Sequence, residues 1–580
     1  MKTKIKELVS FKTLVILFIF ACFAVMLPFT QNLIINFAQN TIGRNLRSIT
    51  KWSLVITHTS AFFATFAIAL YFLKYISHGK IIASDIISTA KQTFKNKKQS
   101  ATLIIFAAVL IFVAYSSIIL ANYDYTDDIR RSFTGHKMWI GATRIVSESL
   151  AVFLHTNFYI NDIWPLTHFI SIFILALTSY LLAYIGTDGK VSLLSILAAV
   201  LFSISPYFAT CMSFKFDSPY MCFSVFVTVL PFLFRKDLKT FCFVSFLALL
   251  LSCTSYQAAQ SVYIMLAIFV VLKKYLAGES QKEMSSFAAA SILAYVFSLV
   301  FFQFVICIPR AWNAESENFE ALSIISLPHN LVSYSKAVLS NYGNIWIKFF
   351  TALSVLFFPF AAMSQSKKSR ITTFTLSVVA FLLMLALSYG AYLVLQKILL
   401  SGRAFMGFNI FVALVAIMDV TAFSNMKKMR ICSIGILACL FWGLCVNTVS
   451  IGTFYHKYKE YTRFRFNVLM QDLNEIVDQN AHNSLYYGNT IEIPESARMV
   501  LKNYHIDRFS LSTNQTQYLL KGYDMDFEIL NEDFIEDIHD KELVKKLTDL
   551  PLIKDTYYHT IYGKDNQYFV EFKNPKPQEN

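Results

Sequence analysis

The chain has 580 residues, 56% of them hydrophobic and only 15% charged, with a formal net charge of +14 and a mean hydropathy of +0.50. Soluble domains carry about a quarter of their residues as Asp, Glu, Lys and Arg, so the composition excludes an ordinary soluble protein and points to a polytopic membrane protein. The basic excess lies mostly in short loops between apolar runs, where positive charge sets topology, which argues against nucleic acid as a partner.

The chain starts with Lys2, Lys4 and Lys6 and then runs apolar to Leu27. No A-x-A-like site follows, so a first span is expected there rather than a cleaved signal peptide. A span takes about 20 mostly apolar residues. By that measure spans are expected near 12–38, 52–74, 101–121, 163–185, 191–209, 218–234, 240–254, 257–275, 286–308, 344–363, 371–395, 404–423 and 431–451. The expected fold is therefore an α-helical polytopic membrane protein of about 13 spans. With the N-terminus inside, the cytoplasmic loops collect Lys74 to Lys98, Arg235-Lys236-Lys239, Lys273-Lys274, Lys367-Lys368-Arg370 and Lys427-Lys428-Arg430. That orientation follows the positive-inside rule, although the loop at 39–51 with Arg44, Arg47 and Lys51 is an exception. The nine cysteines lie in or beside apolar runs and none follows Cys445; they read as small apolar residues, without disulfide or metal-ligand spacing.

Between the third and fourth expected spans comes NYDYTDDIRRSFTGHKMWIGATRI, residues 122–145. One Asp or Arg at the centre of a spanning helix costs roughly 2.5–3.5 kcal/mol, so Asp124, Asp127, Asp128, Arg130, Arg131, Lys137 and Arg144 belong at a membrane surface or in a watery cavity. Ionisable clusters in such places are functional-site candidates. A carboxylate there can take a proton from a sugar hydroxyl, and arginines can hold a phosphate through paired charge-assisted hydrogen bonds. The same residues also fit a salt-bridge lattice that shapes the loop, with Arg130 and Arg131 pairing Asp127 and Asp128. The three aspartates could equally offer oxygen ligands to a divalent ion.

Residues 138–155 do not make a span. Trp139, Ile140, Val146, Leu150 and Phe153 recur at helical spacing, with Arg144, Ser147, Glu148 and His155 opposite. This suits a helix lying in the interface plane, or a surface helix with an Arg144–Glu148 pair worth a few tenths of a kcal/mol. Farther on, SFKFDSPY (213–220) puts Lys215 and Asp217 between two spans, ready for a phosphate and a sugar hydroxyl; alternatively Asp217 and Ser218 cap the helix that Pro219 begins. Tyr256 and Gln257 stand at a tight turn where they can stack on and hydrogen-bond a sugar, or anchor the interface. Arg403 opens a late span on the same side, where a snorkelling arginine costs little.

From about residue 455 the composition changes. Charges of both signs appear, NSLYYGNTIEI and YYHTIYGKDNQYFVEFK read as strands, the second with a hairpin at Gly563–Asn566, and 495–504 and 541–549 read as helices. A small α+β domain is expected at 455–580, outside the membrane and independent of disulfides. No glycine-rich phosphate loop, CxxC, HExxH or GxSxG occurs, and no repeat or inverted pair of broken helices favours a transporter.

The ordered set of DD with arginines, IGATR, DIWPLTHF, SPYFATCMSFKFDSPY and TSYQ resembles the Gtr-type serotype-converting glucosyltransferases, grouped as glucosyltransferase family II, over roughly residues 100–450. The resemblance implies a GT-C-like bacterial inner-membrane enzyme. It implies a polyprenyl-phosphate-linked glucose donor and a lipid-linked O-antigen or other cell-surface polysaccharide as acceptor, both met outside the inner membrane. Carried over by motif, Asp127 and Asp128 are catalytic, and Arg130, Arg131 or Arg144 holds the donor phosphate. Residues 1–454 then form the transferase domain, 1–100 an extension of two spans, and 122–162 a catalytic outer loop. The chain departs from many GT-C enzymes in placing the acidic loop after a third span, and its C-terminal domain has no counterpart in the resemblance. Asp124, Lys215, Asp217, Tyr256, Gln257 and Arg403 are the further candidates for substrate contact. A lipid-glycan flippase is the rival, as is a polymerase or ligase with the same partners. A flippase calls for ionisable residues inside spans, where Asp419 is the main example.

Overall fold

The computed structural model describes residues 79–307, 323–423, 426–478, 481, 483–503, 527–528 and 549–574. The spans expected at 12–38 and 52–74, and nearly all of the helix expected at 541–549, lie outside these residues. Within them the architecture is helical, and eight helices are long and apolar enough to cross a membrane.

In chain order the helices are α1 Gly79–Thr93, α2 Lys97–Ala121, α3 Asp127–Thr134, α4 Ile145–His155, α5 Leu166–Gly186, α6 Leu193–Val200, α7 Pro206–Ser213 and α8 Ser218–Val229. Then follow α9 Leu238–Ser255, α10 Gln260–Ala277, α11 Gln281–Phe301, α12 Leu327–Asn341, α13 Ile345–Gln365, α14 Arg370–Leu387, α15 Met406–Thr421 and α16 Lys427–Ile476. Helix α15 is buried over every residue but its last, as an all-round apolar helix at the centre of a bundle must be. Near its end Asp419 accepts from Ser354 at 2.6 Å in a buried contact with α13, so this carboxylate joins two helices instead of lining a path. Helices α2 and α16 pack so closely that a Cβ on Gly452 would lie 2.3 Å from Ser117 Oγ and 2.4 Å from the Ile118 nitrogen.

One expected span is corrected. Residues 191–209 do not form a single helix but the short α6 and α7, separated by a turn at 201–205. Ser205 caps α7 by accepting from the Phe208 N–H at 3.1 Å, and Pro206 starts it; proline clashes with a continuing upstream helix and ends it there. The break is buried among other helices, the one setting in which irregular backbone is tolerated at membrane depth.

Ionic clusters mark the two ends of α5. At its C-terminal end Asp188 pairs with Arg235 at 2.9 Å and Lys273 at 3.0 Å, and Lys367 N–H bonds to Leu276 O nearby. At its N-terminal end Asp162 meets Lys215. The 21 residues of α5 separate these clusters by about 31 Å at 1.5 Å per residue. Helix α16 runs 50 residues, or about 75 Å, and passes straight through the change of composition near 455. Beside the Asp162 end, Lys459 Nζ caps α2 through the carbonyls of Ala121 (3.3 Å) and Asn122 (2.5 Å).

Past that point α16 carries the mixed region. Strands β1 Asn483–Tyr487, β2 Phe527–Glu528, β3 Leu552–Asp555, β4 His559–Lys564 and β5 Gln567–Phe572 form one sheet in the order β2-β1-β5-β4-β3. Pairing is parallel at β1 and antiparallel from β3 to β5. The β4–β5 hairpin turns on Asp565 and Asn566, both at positive φ (51° and 63°), as two-residue hairpin loops prefer. Phe466, Leu469 and Leu473 of α16 bury against Leu485, Val570 and Phe572 of the sheet, while α17 (Glu495–Asn503) packs against α16 through Ala497.

Candidate active site

Neighbouring residues on an α-helix point about 100° apart, and the first turn of α3 uses this to separate two adjacent aspartates. The Asp127 side chain is 63% exposed, whereas Asp128 is fully buried. The Asp128 carboxylate accepts the backbone N–H groups of Lys215 at 2.7 Å and Phe216 at 3.3 Å. Burial, and then the neighbouring Asp217, push its carboxyl well above the usual carboxylate range against the opposing pull of Arg131. Asp127 has one loose tether, Arg131 Nη2 at 3.9 Å.

The loop at 214–217 sits on this platform. Arg131 Nη1 donates to Asp217 Oδ2, the Trp139 indole N–H donates to Asp217 Oδ1, and the Arg131 guanidinium lies over the Trp139 ring, 4.8 Å from its centroid. Asp217 stands at the start of α8 but makes no side-chain cap there, because its oxygens are spent on Arg131 and Trp139. Lys215 is only 4% exposed and its ammonium reaches Asp124 at 2.5 Å, Asp162 at 2.7 Å and Asn122 Oδ1 at 3.0 Å. Burial opposes the charge on Lys215 but Asp124 holds its pKa above the usual lysine value; burial likewise opposes the Asp162 carboxylate, and Lys215 holds it below its usual range. Three expected contact residues, Asp124, Lys215 and Asp217, are thus already tied to one another's neighbours inside the protein. Arg130 lies half-buried on α3.

The other arginines are arranged differently. Arg144 precedes α4 and does not pair with Glu148, which meets Lys137 at 3.5 Å. Its Nε donates to Gln257 Oε1 at 3.1 Å, and its guanidinium lies 4.5 Å from the centroid of the Tyr256 ring. Gln257 in turn donates to Ala142 O at 2.7 Å and Thr143 Oγ1 at 3.0 Å, so the expected tight turn is a clamp on the loop leading into α4. Arg403 lies over Phe214 at 5.2 Å. Burial works against its charge, but Tyr256, Asp127 and Asp217 together raise its pKa further. Among the described residues neither the Arg403 guanidinium nor the two terminal nitrogens of Arg144 make a hydrogen bond or salt bridge. Tyr392 lies within electrostatic reach of Arg144, Arg403 and Tyr256.

The structure therefore gathers Asp127, Arg144, Arg403, Tyr256 and Tyr392 into one cluster linked through Arg403, Tyr256 and Tyr392, beside a frame built from Asp128, Arg131, Trp139, Lys215 and Asp217. Asp162, Trp139, Phe214 and Tyr392 escaped the sequence reasoning. Asp162 and Trp139 lie within or beside motifs of interest, but nothing in their spacing reveals that they meet the 214–217 loop. The three aspartates of 124–128 diverge and offer no shared cation position; among the described residues no three His, Cys, Asp or Glu groups converge on one.

The profile of the family described as Glucosyl transferase GtrII matches residues 116–419, just over half the chain and the stretch that contains every residue of this cluster. The chain belongs to the GtrII glucosyl transferase family. Neither curated proteins nor solved structures give a significant match. Membership makes the protein a glycosyltransferase, with a sugar donor and an acceptor, and its long apolar helices make it a membrane protein. The match begins within the last two turns of α2 and ends in α15, so the GtrII region holds both the frame and the cluster. The sheet carried by α16 lies beyond it.

Proposed function

We propose that this GtrII-family protein transfers glucose from a polyprenyl-phosphate donor to a lipid-linked O-antigen or other cell-surface polysaccharide. The reaction takes place on the outer face of the bacterial inner membrane. The observation that carries the reading is the exposed Asp127 within electrostatic reach of Arg403, together with Arg144 and Arg403 as two guanidiniums set over aromatic rings with donors left over. Such a set suits a sugar phosphate: a base for the acceptor and planar, bidentate donors for the leaving group.

In this reading Asp127 takes the proton of the acceptor hydroxyl. That oxygen bonds to the anomeric carbon while the bond from that carbon to the phosphate oxygen breaks. The phosphate departs with the electron pair as polyprenyl phosphate, and Arg144 and Arg403 meet its charge. Preorganised charge at the leaving group and positioning of the acceptor supply the acceleration. Asp128, Arg131 and Asp217 act by holding Asp127 and the 214–217 loop in place.

The outward assignment is supported by the distribution of base. Arg235, Lys273 and Lys367 gather at the end of α5 remote from the Asp127 cluster, and cytoplasmic loops are the basic ones. Nucleotide sugars are scarce beyond the cytoplasm, which favours a lipid-linked donor. The region from 455 onward, with the sheet, would stand as a separate domain on the same side as that cluster. The test is mass analysis of surface polysaccharide from cells with and without the gene, together with transfer from synthetic polyprenyl-phosphate glucose by purified protein. A gain of one hexose per repeat and transfer in vitro support the reading; an unchanged polysaccharide and no transfer sink it.

A further inference from the structure

A groove of about 580 Å³ runs between α10, α11 and α14, walled by Ile264, Ile268, Ala288, Ile292, Val379 and Leu383 and free of charged residues. It follows α10 from Tyr263 to Tyr275, about 18 Å at 1.5 Å per residue. Ile292 (62% exposed) and Leu383 (46%) on its walls remain open.

At the end of this groove marked by Tyr263 and Tyr295, side-chain contacts lead toward the candidate active site. There the Tyr295 hydroxyl donates to Gln260 Oε1, which also accepts the Ala391 N–H at 3.3 Å. Gln260 is 1% exposed, yet its Nε2 has no acceptor among the described residues. A buried amide donor left unpaired costs about 1–3 kcal/mol, so an acceptor that arrives with a ligand would relieve it. Ala391 is followed by Tyr392, within electrostatic reach of Arg144 and Arg403. Contacts thus run from the apolar groove through Tyr295 to the orphaned donor on Gln260 and on through Ala391 and Tyr392 toward the two arginines.

We propose that the groove holds the hydrocarbon tail of the isoprenoid-phosphate donor, with the Gln260 amide at the phosphate end. This rests on the donor reading above and adds where the tail lies. An ordinary acyl chain would satisfy the walls, but only an amphiphile with an anionic head satisfies the walls, the amide and the arginines together.

The test compares glucosyl phosphates carried on a geranyl chain and on a long polyprenyl chain, using full-length protein in lipid nanodiscs. Filling the groove with Ala288→Trp or, independently, Val379→Trp is expected to cut the rate with the long-chain donor by about tenfold or more while the geranyl donor reacts as before. The geranyl rate also reports that each variant folds. A long polyprenyl phosphate with a benzophenone at its tail should label peptides of α11 or α14, and excess polyprenyl phosphate should suppress the labelling. Equal effects on both donors, or labelling elsewhere, overturn the groove assignment while leaving the donor reading intact. Disulfide trapping of a cysteine at 379 by one introduced within 52–74 would overturn it too, because the chain itself would then fill the groove. No transfer by the unaltered protein from either donor would refute the donor reading instead.

Discussion

Asp127 and Asp128 are consecutive residues in opposite environments: the first leaves its side chain 63% exposed beside Arg403, and the second is sealed against the backbone amides of Lys215 and Phe216. Their substitutions should therefore fail in different ways. Asp127→Asn should lower transfer by about 10²–10⁴-fold, the usual worth of a general base, with melting temperature and membrane insertion unchanged. Asp128→Ala should lower the melting temperature in detergent, because it strands two buried N–H donors at about 1–3 kcal/mol. Normal glucosylation by Asp127→Asn would remove it from the chemistry.

Arg144→Ala and Arg403→Ala should each reduce kcat by about 10²–10³-fold if they stabilise the departing phosphate. Lysine should rescue poorly, since an ammonium neither stacks on Tyr256 or Phe214 as a guanidinium does nor offers a planar fork. Steady-state kinetics separates this from a binding role, in which KM alone would rise.

The pair Arg131–Asp217 is buried and completed by Trp139. Removing one partner, as in Arg131→Met, should destabilise the protein by about 3–5 kcal/mol because the other charge is left buried and unpaired. Thermal unfolding of both single variants and the double variant measures the coupling. A double variant more stable than either single one is the expected result.

Lys215 should give stability a defined pH dependence. It holds the Asp162 carboxyl below its usual range, although burial alone would raise it. A depressed folded value means that the stabilisation is fully present above the unfolded aspartate value of about 3.9 and is lost as pH falls through the lower folded value. The gap in melting temperature between wild type and Lys215→Met should therefore be wide at neutral pH, start to narrow below about pH 4 and close only once pH has fallen past the depressed Asp162 value. A gap independent of pH would show that Lys215 acts by packing alone.

At the crossing of α2 and α16, Gly452→Val should push the helices apart, at a cost of about 1–3 kcal/mol from overpacking. Since Lys459 caps α2 only two turns farther along, this variant should also weaken transfer. Melting temperature and activity measured together would show whether the crossing positions the Asp127 cluster.

Much of this was readable in the chain. Apolar runs of the right length locate helices long enough to cross a membrane because lipid demands it, and the clustered Asp and Arg residues of 122–145 stand out as a candidate site because lipid forbids them. Period-two aromatic residues around Gly563–Asn566 announce the β4–β5 hairpin. The unbroken helix expected at 191–209 failed because its apolar residues bury against other helices, where Ser205 and Pro206 can interrupt the backbone without exposing it to lipid.

Sequence alone thus determined the class of protein and its long apolar helices, and singled out the charged stretch at 122–145 as a candidate, since solvation energy acts on residue types wherever they later pack. Only the tertiary structure decided which charges are spent and which are left over. Lys215 meets Asp162, Asp217 meets Arg131 and Trp139, and Arg144 and Arg403 keep donors to spare, Arg403 within electrostatic reach of Asp127. Those pairings join residues tens to hundreds of positions apart, and a charge's partner depends on where helices cross, which no local pattern records.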